Sequence, residues 1–379
     1  MREGLKVGIL GGGQLGAMLI RHAIDYGLNV SVLDQDPASP CARYSSSFKV
    51  GDPMSYDDVI SFGSKLDVIT IEKEAVNTQA LRELAKAGIK VYPSPDVIEL
   101  IQDKYTQKKY LEDKGIAVPH LIQINNKSEL EHHTEMLPAC LKKCKNGYDG
   151  KGVMMLYNPT DINNAFDEPC ILEELVDIKH EISVIVCRDA AGAVICYDPV
   201  MMVFNSQHMV LDYQLCPANI SEKKATEAIN LAIKTAEAIN IVGILAVEMF
   251  LTSDDLLLVN ELAPRPHNSG HHTIESCTTS QYEQLLRILV GMPLGDTKLK
   301  KSSVMINVFE PAANKKNSIE DAMKAILKTS DVHLHWYGKS SGKAGRKMGH
   351  ITITEDTVEN AITKATIIRN ILKDSYGQE

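Results

Sequence analysis

Apolar and polar positions follow two different rhythms along this chain. In the first ninety residues, short continuous apolar runs alternate with amphipathic stretches. Residues 5–10 read as a buried strand, and 14–26 as a helix opening at a glycine turn. Residues 30–33 and 68–71 read as further strands, and 79–87 as a helix before a strand at 90–92. This alternation predicts a βαβ series with a parallel sheet. It stops at the breakers Pro93-Ser94-Pro95. One helical segment is expected over 96–114, and an extended link over 115–119. The rhythm then changes to short strands at 139–142, 153–156, 170–174 and 181–187, which suggests an α+β region. A long amphipathic helix fits 222–238, two strands fit 244–250 and 256–261, and a helix fits 280–290. Strands at 303–310, 333–337 and 350–354 and a closing helix at 357–373 complete the pattern, with no internal repeat and no low-complexity linker.

Composition narrows the function classes. A chain of 379 residues exceeds one small core, so two or three domains are expected. The net charge of −9 gives no general basic face for nucleic acid, and local positive clusters read as sites for small anions. No run of 18 apolar residues occurs, so no membrane span is predicted. The N-terminus has no signal-peptide pattern. The eight cysteines are scattered, mostly in apolar runs, and read as reduced thiols of a cytoplasmic protein. Cys140 and Cys144 are not accompanied by a second Cys or His pair at zinc spacing.

Five stretches carry candidate chemistry. Gly11-Gly12-Gly13-Gln14-Leu15-Gly16 satisfies the G-x-G-x-x-G fingerprint, and Asp34 closes the next apolar run. Such glycines bring backbone N–H groups near a phosphate at a helix N-terminus. The fingerprint alone leaves three readings: a dinucleotide, a substrate phosphate or sugar, or a tight structural turn. Lys142-Lys143-Cys144-Lys145-Asn146-Gly147-Tyr148-Asp149-Gly150-Lys151-Gly152 places three glycines and four flanking lysines between strands, as a flap over a triphosphate or as a lysine-rich surface hairpin. Glu248 and Glu261 each lie inside an apolar strand, one on each side of the turn 252–255. On an antiparallel hairpin they share a face and suit magnesium; salt-bridged structural carboxylates are the alternative. Asn260 can add an oxygen. The irregular stretch 260–272 holds Arg265 and three histidines, and the loop vocabulary is that of a site of chemistry rather than zinc. A late basic loop carries Lys339, Arg346 and Lys347, either to grip a small anion or as a solvated turn.

Taken together, GGGQLG at 11–16, DKYTQK at 103–108, NGYDGKG at 146–152, EELV at 173–176, NELAPRPHNSGHH at 260–272 and HWYGK–GRKMGH at 335–350 resemble the ATP-grasp superfamily. Within it, the chain is most similar to the N5-carboxyaminoimidazole ribonucleotide synthetases of purine biosynthesis, over nearly its whole length. The resemblance implies an α/β and α+β fold. It comprises an N-terminal biotin-carboxylase-like (pre-ATP-grasp) parallel-sheet domain at 1–103, an ATP-grasp domain at 104–298 and a small C-terminal domain at 299–379. The ATP-grasp domain would have two lobes, about 104–190 with the flap and about 191–298 with the metal site. The implied reaction joins ATP, bicarbonate and 5-aminoimidazole ribonucleotide, with Mg2+ (or Mn2+) as cofactor, in a cytoplasmic homodimer that passes its product to the pathway's mutase.

By motif position, Lys104, Lys142, Gly147, Tyr148, Asp149, Gly150, Lys151, Gly152, Val153, Glu173, Glu174, Leu175, Val176, Glu181, Asn205, Asn260 and Glu261 would meet ATP, and Glu248 and Glu261 the metal. Gln14, Leu15, Glu74, Tyr148, Asp149, Lys151, Arg265, His267, Asn268, Ser269, Lys339, Arg346 and Lys347 would meet the ribonucleotide. Arg265, His267, Lys339, Tyr148 and Asp149 form the implied catalytic set. Two departures stand out. Lys73 interrupts the family's E-x-E stretch, which leaves open how Glu72 and Glu74 divide their roles. Asn205 replaces a histidine that many members place near the nucleotide. On this resemblance Asp34 has no cofactor ribose to hold. A dinucleotide oxidoreductase, a formate-using ATP-grasp transformylase and a non-catalytic nucleotide-binding module are the rival readings.

Overall fold

The computed structural model describes residues 4–147, 152–204, 211–311, 319–340 and 343–376. Among these residues the strands form three sheets. The first contains β1 (Lys6–Leu10), β2 (Asn29–Asp34), β3 (Ser47–Val50), β4 (Val68–Ile71) and β5 (Lys90–Val91), all parallel, in the order β3-β2-β1-β4-β5. Both faces are covered, which explains the unbroken apolar runs. Val7, Ile9, Val30 and Val32 pack toward helices Gln14–Asp25 and Gln281–Val290. Leu10, Leu33, Ile69 and Ile71 pack toward helices Tyr56–Gly63, Thr78–Lys86 and Pro95–Gln102. The strand order reverses between β1 and β4, so the loops after these strands open into one crevice.

The single helix expected over 96–114 is two helices, Pro95–Gln102 and Lys104–Asp113. Asp103 is extended between them (φ −124°, ψ 112°), and its carboxylate accepts from Thr106 N, capping the second helix. β3 and helix Tyr56–Gly63 lack a clear apolar period and escaped the sequence reading.

The second sheet is antiparallel, β6 (Leu121–Ile124), β7 (Ala139–Lys143), β8 (Val153–Leu156) and β9 (Cys170–Glu174), in the order β6-β9-β7-β8. Lys142 pairs with Val153, so β7 and β8 form the two ends of the glycine-rich flap. The third sheet contains β10 (Ile178–Arg188), β11 (Val194–Cys196), β12 (Val200–Phe204), β13 (Leu211–Cys216), β14 (Gly243–Thr252), β15 (Leu257–Ala263), β16 (Ser302–Phe309), β17 (Val332–Trp336) and β18 (Lys347–Glu355). Its order is β15-β14-β10-β12-β13-β16-β18-β17, with β11 on β10. Helix Glu222–Ala238 lays Ala228, Ala232 and Ala236 on Val184, Val186, Leu245 and Val247. At the far end helix Val358–Ile371 lays Ala361, Ala365 and Ile368 on Val304, Ile306, Ile351 and Ile353. One hydrogen-bonded sheet therefore runs from the glutamate hairpin into the C-terminal segment.

Candidate active site

The hairpin β14–β15 sets Glu248 directly opposite Glu261. Beyond that pair the register shifts, because Met249 faces Val259 and Asn260 is left over as a bulge. A bulge turns successive side chains toward one side of a strand. This accounts for two adjacent residues both reaching the site: Lys142 Nζ donates to Asn260 Oδ1 at 2.9 Å, and Lys104 Nζ lies 2.5 Å from Glu261 Oε1.

Lys142 also lies 2.6 Å from Glu173 Oε2, and Lys108 is 2.8 Å from Glu173 Oε1. Glu173 and Lys108 are each 2% exposed. Burial pushes the Glu173 carboxyl up, but Lys142 and Lys108 outweigh it and hold the group down at about 2. Burial lowers Lys108 to about 8, and Glu173 resists that fall. The result is an ammonium group on Lys142 held between Glu173 and Asn260. Lys108, inside the quoted DKYTQK stretch, was missed by sequence reading; its spacing of four from Lys104 on one helix was the available signal.

Glu181, on β10 between Phe250 and Met202, is raised to about 7 by burial, with Lys142 opposing. Residues 178–181 and 201–204 line a cleft of about 250 Å³ beside it. Gly147, Gly152 and Val153 frame the flap, and Gly152 O accepts from Lys143 N. Glu174 and Leu175 leave the edge of β9 exposed. Tyr148, Asp149, Gly150, Lys151 and Asn205 lie outside the described residues.

On the other side of the hairpin, His267 Nε2 lies 3.1 Å from Glu248 Oε1. Its Nδ1 accepts from Ser269 N, so the proton of the neutral ring sits on Nε2 and points at Glu248. Ser269 Oγ in turn meets Ser183 Oγ at 2.8 Å, and Ser269 O accepts from Gln214 Nε2, which fixes the loop to the sheet. Enclosure and the facing Glu261 push the Glu248 carboxyl well above its ordinary range. Two facing carboxylates, one of them with raised proton affinity, and a neighbouring amide oxygen are a donor set that suits a hard divalent cation sharing phosphate oxygens.

The fingerprint turn already holds a carboxyl group of this chain, that of Glu72. Leu15 N donates to Glu72 Oε1 at 3.3 Å, and a Cβ at Gly13 would lie 2.3 Å from that same oxygen. Asp34 is a structural group: Gly12 N and Asp36 N both donate to its carboxylate, at 2.7 and 2.8 Å. Glu74 points elsewhere, with Oε1 2.8 Å from Arg265 Nε. Glu72 thus bonds to the glycine turn and Glu74 to Arg265, and the charge of Arg265 is felt by Glu72 as well. The C-terminal loop closes this side. The charge of Lys339 is felt by Glu72 and that of Lys347 by Glu248. Lys339 Nζ lies over the Tyr337 ring at 5.3 Å, and Arg346 Nη1 donates to Ser340 O and Oγ. Gln14 opens the first helix at the turn, and Asn268 opens the short helical turn that His267 caps.

Three domain families match the chain in succession. They are the ribonucleotide synthetase preATP-grasp domain over residues 5–102, the ATP-grasp domain over 109–282 and the phosphoribosylaminoimidazole carboxylase C-terminal domain over 303–364. The N5-carboxyaminoimidazole ribonucleotide synthase of Bacillus subtilis (strain 168) is 35% identical over 369 residues, covering 96% of this chain and 95% of the relative. Among solved structures, the N5-carboxyaminoimidazole ribonucleotide synthetase from Thermotoga maritima is 37% identical with a TM-score of 0.89, over 97% of this chain and 98% of that one. The synthase from Aspergillus clavatus, in complex with ADP and 5-aminoimidazole ribonucleotide, is 33% identical with a TM-score of 0.91, over 98% of this chain and 100% of that one. The chain belongs to the N5-carboxyaminoimidazole ribonucleotide synthase family of ATP-grasp ligases.

Proposed function

We infer that this chain is the ATP-dependent ligase that carboxylates the 5-amino group of 5-aminoimidazole ribonucleotide with bicarbonate, giving the N5-carboxylated ribonucleotide, ADP and phosphate. The supporting observation is the convergence of Lys104, Lys142, Asn260, Glu248 and Glu261 with the Arg265–Ser269 loop on one hairpin.

Lys104 and Lys142 bind the phosphates of ATP, with the flap 147–153, Glu173–Val176 and Glu181 around the nucleotide. Glu248 and Glu261 would hold magnesium or manganese, which neutralises charge on the phosphate oxygens when bound. Bicarbonate attacks the γ-phosphorus to give carboxyphosphate and ADP, and the amino group captures the carboxyl carbon directly or as released CO2. Arg265 and His267 cradle bicarbonate and the intermediate, with Tyr148, Asp149 and Lys339 beside them. The flap keeps water from the labile anhydride. Gln14, Leu15, Glu74, Asn268, Ser269, Lys151, Arg346 and Lys347 hold the ribonucleotide, with Arg346 suited to a bidentate phosphate contact. No helix among the described residues is long and apolar enough to cross a membrane. We place the enzyme in the cytoplasm as a homodimer whose product passes to a mutase.

An ADP-release assay tests the reading. Release should require both the ribonucleotide and bicarbonate, and formate should not replace bicarbonate. Arg265→Ala should cut ribonucleotide-dependent release by about 10²–10³. Unchanged release in that variant refutes the role given to Arg265.

A further inference from the structure

The histidines that end the motif loop do not face the reacting groups. His272 is tied to Ser269 O and Gln214 Nε2, and His271 forms a buried column with His335 and His350 of the C-terminal hairpin. The His350 ring stacks on His271 (centroids 4.4 Å apart, 28° between planes) and on His335 (4.4 Å, 9°). Each ring is tied at its edge. His271 Nδ1 shares a 2.9 Å hydrogen bond with Tyr282 Oη, and His350 Nδ1 shares one of 2.8 Å with Tyr337 Oη. His335 Nε2 lies 2.7 Å from Glu275 Oε1. Burial drives His271 and His350 well below the ordinary imidazole range, so both rings are neutral and stack without charge repulsion.

Chain positions give the column its meaning. His271 follows Ser269 by two residues, Tyr337 precedes Lys339 by two, and His350 follows Lys347 by three. The column therefore pins the loop carrying Arg265–Ser269 to the hairpin carrying Lys339 and Lys347. The ATP-side lysines arise from β7 and from helix Lys104–Asp113, on which none of these rings lies. We propose that His350 is a positioning residue for the ribonucleotide: its ring stacks on His271 of the motif loop while its bond to Tyr337 holds the segment leading to Lys339, so that the two halves of the ribonucleotide site are set before substrate arrives. This rests on the assignment of Lys339, Arg346 and Lys347 to that substrate. Long lysine side chains lose rotamer freedom when they bind an anion, and a hairpin that also had to be ordered would add to that cost. A fixed hairpin removes the second part, and the benefit appears in substrate binding rather than in turnover.

The test uses the full chain with Tyr337→Phe, which keeps the ring and removes only the hydroxyl, and His350→Phe, which keeps a stacking ring without Nδ1. Steady-state ADP release is measured against 5-aminoimidazole ribonucleotide and against ATP. Each variant should raise the KM for the ribonucleotide about tenfold, with the KM for ATP and kcat within about twofold of the parent. The double variant should be no worse than either single one, because both remove the same bond. A ribonucleotide KM that stays at the parent value in Tyr337→Phe overturns the proposal, and so does an ATP KM that rises in step. Should His350→Phe fail to fold, Tyr337→Phe alone decides. A parent enzyme whose ADP release ignores the ribonucleotide overturns the functional reading and this inference together; an active parent with unmoved variants overturns only the inference.

Discussion

Glu173 holds two ammonium groups on one carboxylate, and the three charges depend on one another. Removing one partner of a buried ion pair strands the other, at a cost of about 3–5 kcal/mol. Lys108→Met leaves Glu173 paired with Lys142, so it should lower the unfolding free energy in urea by less than that, about 1–3 kcal/mol. It should also raise the KM for ATP, since Lys142 is left with a less constrained anchor. The sign of the pH effect follows from the Glu173 carboxyl, which is held at about 2 against an ordinary 4.5. A depressed carboxyl contributes stability in full above its unfolded value and loses it as pH falls through the folded one. The stability gap between the parent and Glu173→Gln should thus be constant near neutrality and shrink from about pH 4.5 toward pH 2 in acid-unfolding measurements. Sequence reading singled out Glu173, Lys142 and Lys104 through their motifs. It did not find Lys108, although that residue lies one turn from Lys104 on the same helix, nor the place of Glu72, which depends on β4 lying beside β1.

Among the elements, β14 and β15 were the most legible. Apolar runs on either side of a four-residue polar turn predicted an antiparallel hairpin with both glutamates on one face, and the structure sets Glu248 across from Glu261. The bulge at Asn260 was not legible, although it lets that side chain and Glu261 serve the same site. β12 and β13 were also missed, since Met-Met-Val-Phe carries no alternation. The break at Asp103 was hidden because an aspartate within a helical period looks like a solvated position until its cap is seen. The C-terminal hairpin shows a tighter constraint. A Cβ at Gly349 would lie 2.6 Å from His335 O, a backbone atom that cannot rotate away. Gly349→Ala should push β17 off β18, lower stability by about 1–3 kcal/mol, and raise the ribonucleotide KM more than the ATP KM. Denaturant titration and steady-state kinetics read the two effects separately.

For the whole molecule, the continuity of the third sheet matters more than any single domain. β16 is hydrogen-bonded to β13, and its Val304, Met305 and Ile306 are fully buried. A chain ending at residue 298 would leave β13 as an open edge beside uncovered apolar surface, and such edges recruit other chains. That fragment should elute as aggregate in gel filtration, whereas the full chain should elute as a discrete species. The sequence rhythm marked where the βαβ region stops, but it could not show that the last segment extends the sheet of the preceding one. Pairing between strands nearly ninety positions apart leaves no periodic trace.

The glycine turn after β1 bears on the oldest ambiguity in such fingerprints. Its helix start is already paired with the carboxylate of Glu72, delivered from the neighbouring strand β4. A nicotinamide or flavin pyrophosphate arriving at that turn would collide with a resident acid rather than find waiting amides. The chain thus spells a dinucleotide signature while its own side chain bars the door, and any attempt to graft cofactor binding here would have to begin by evicting that glutamate.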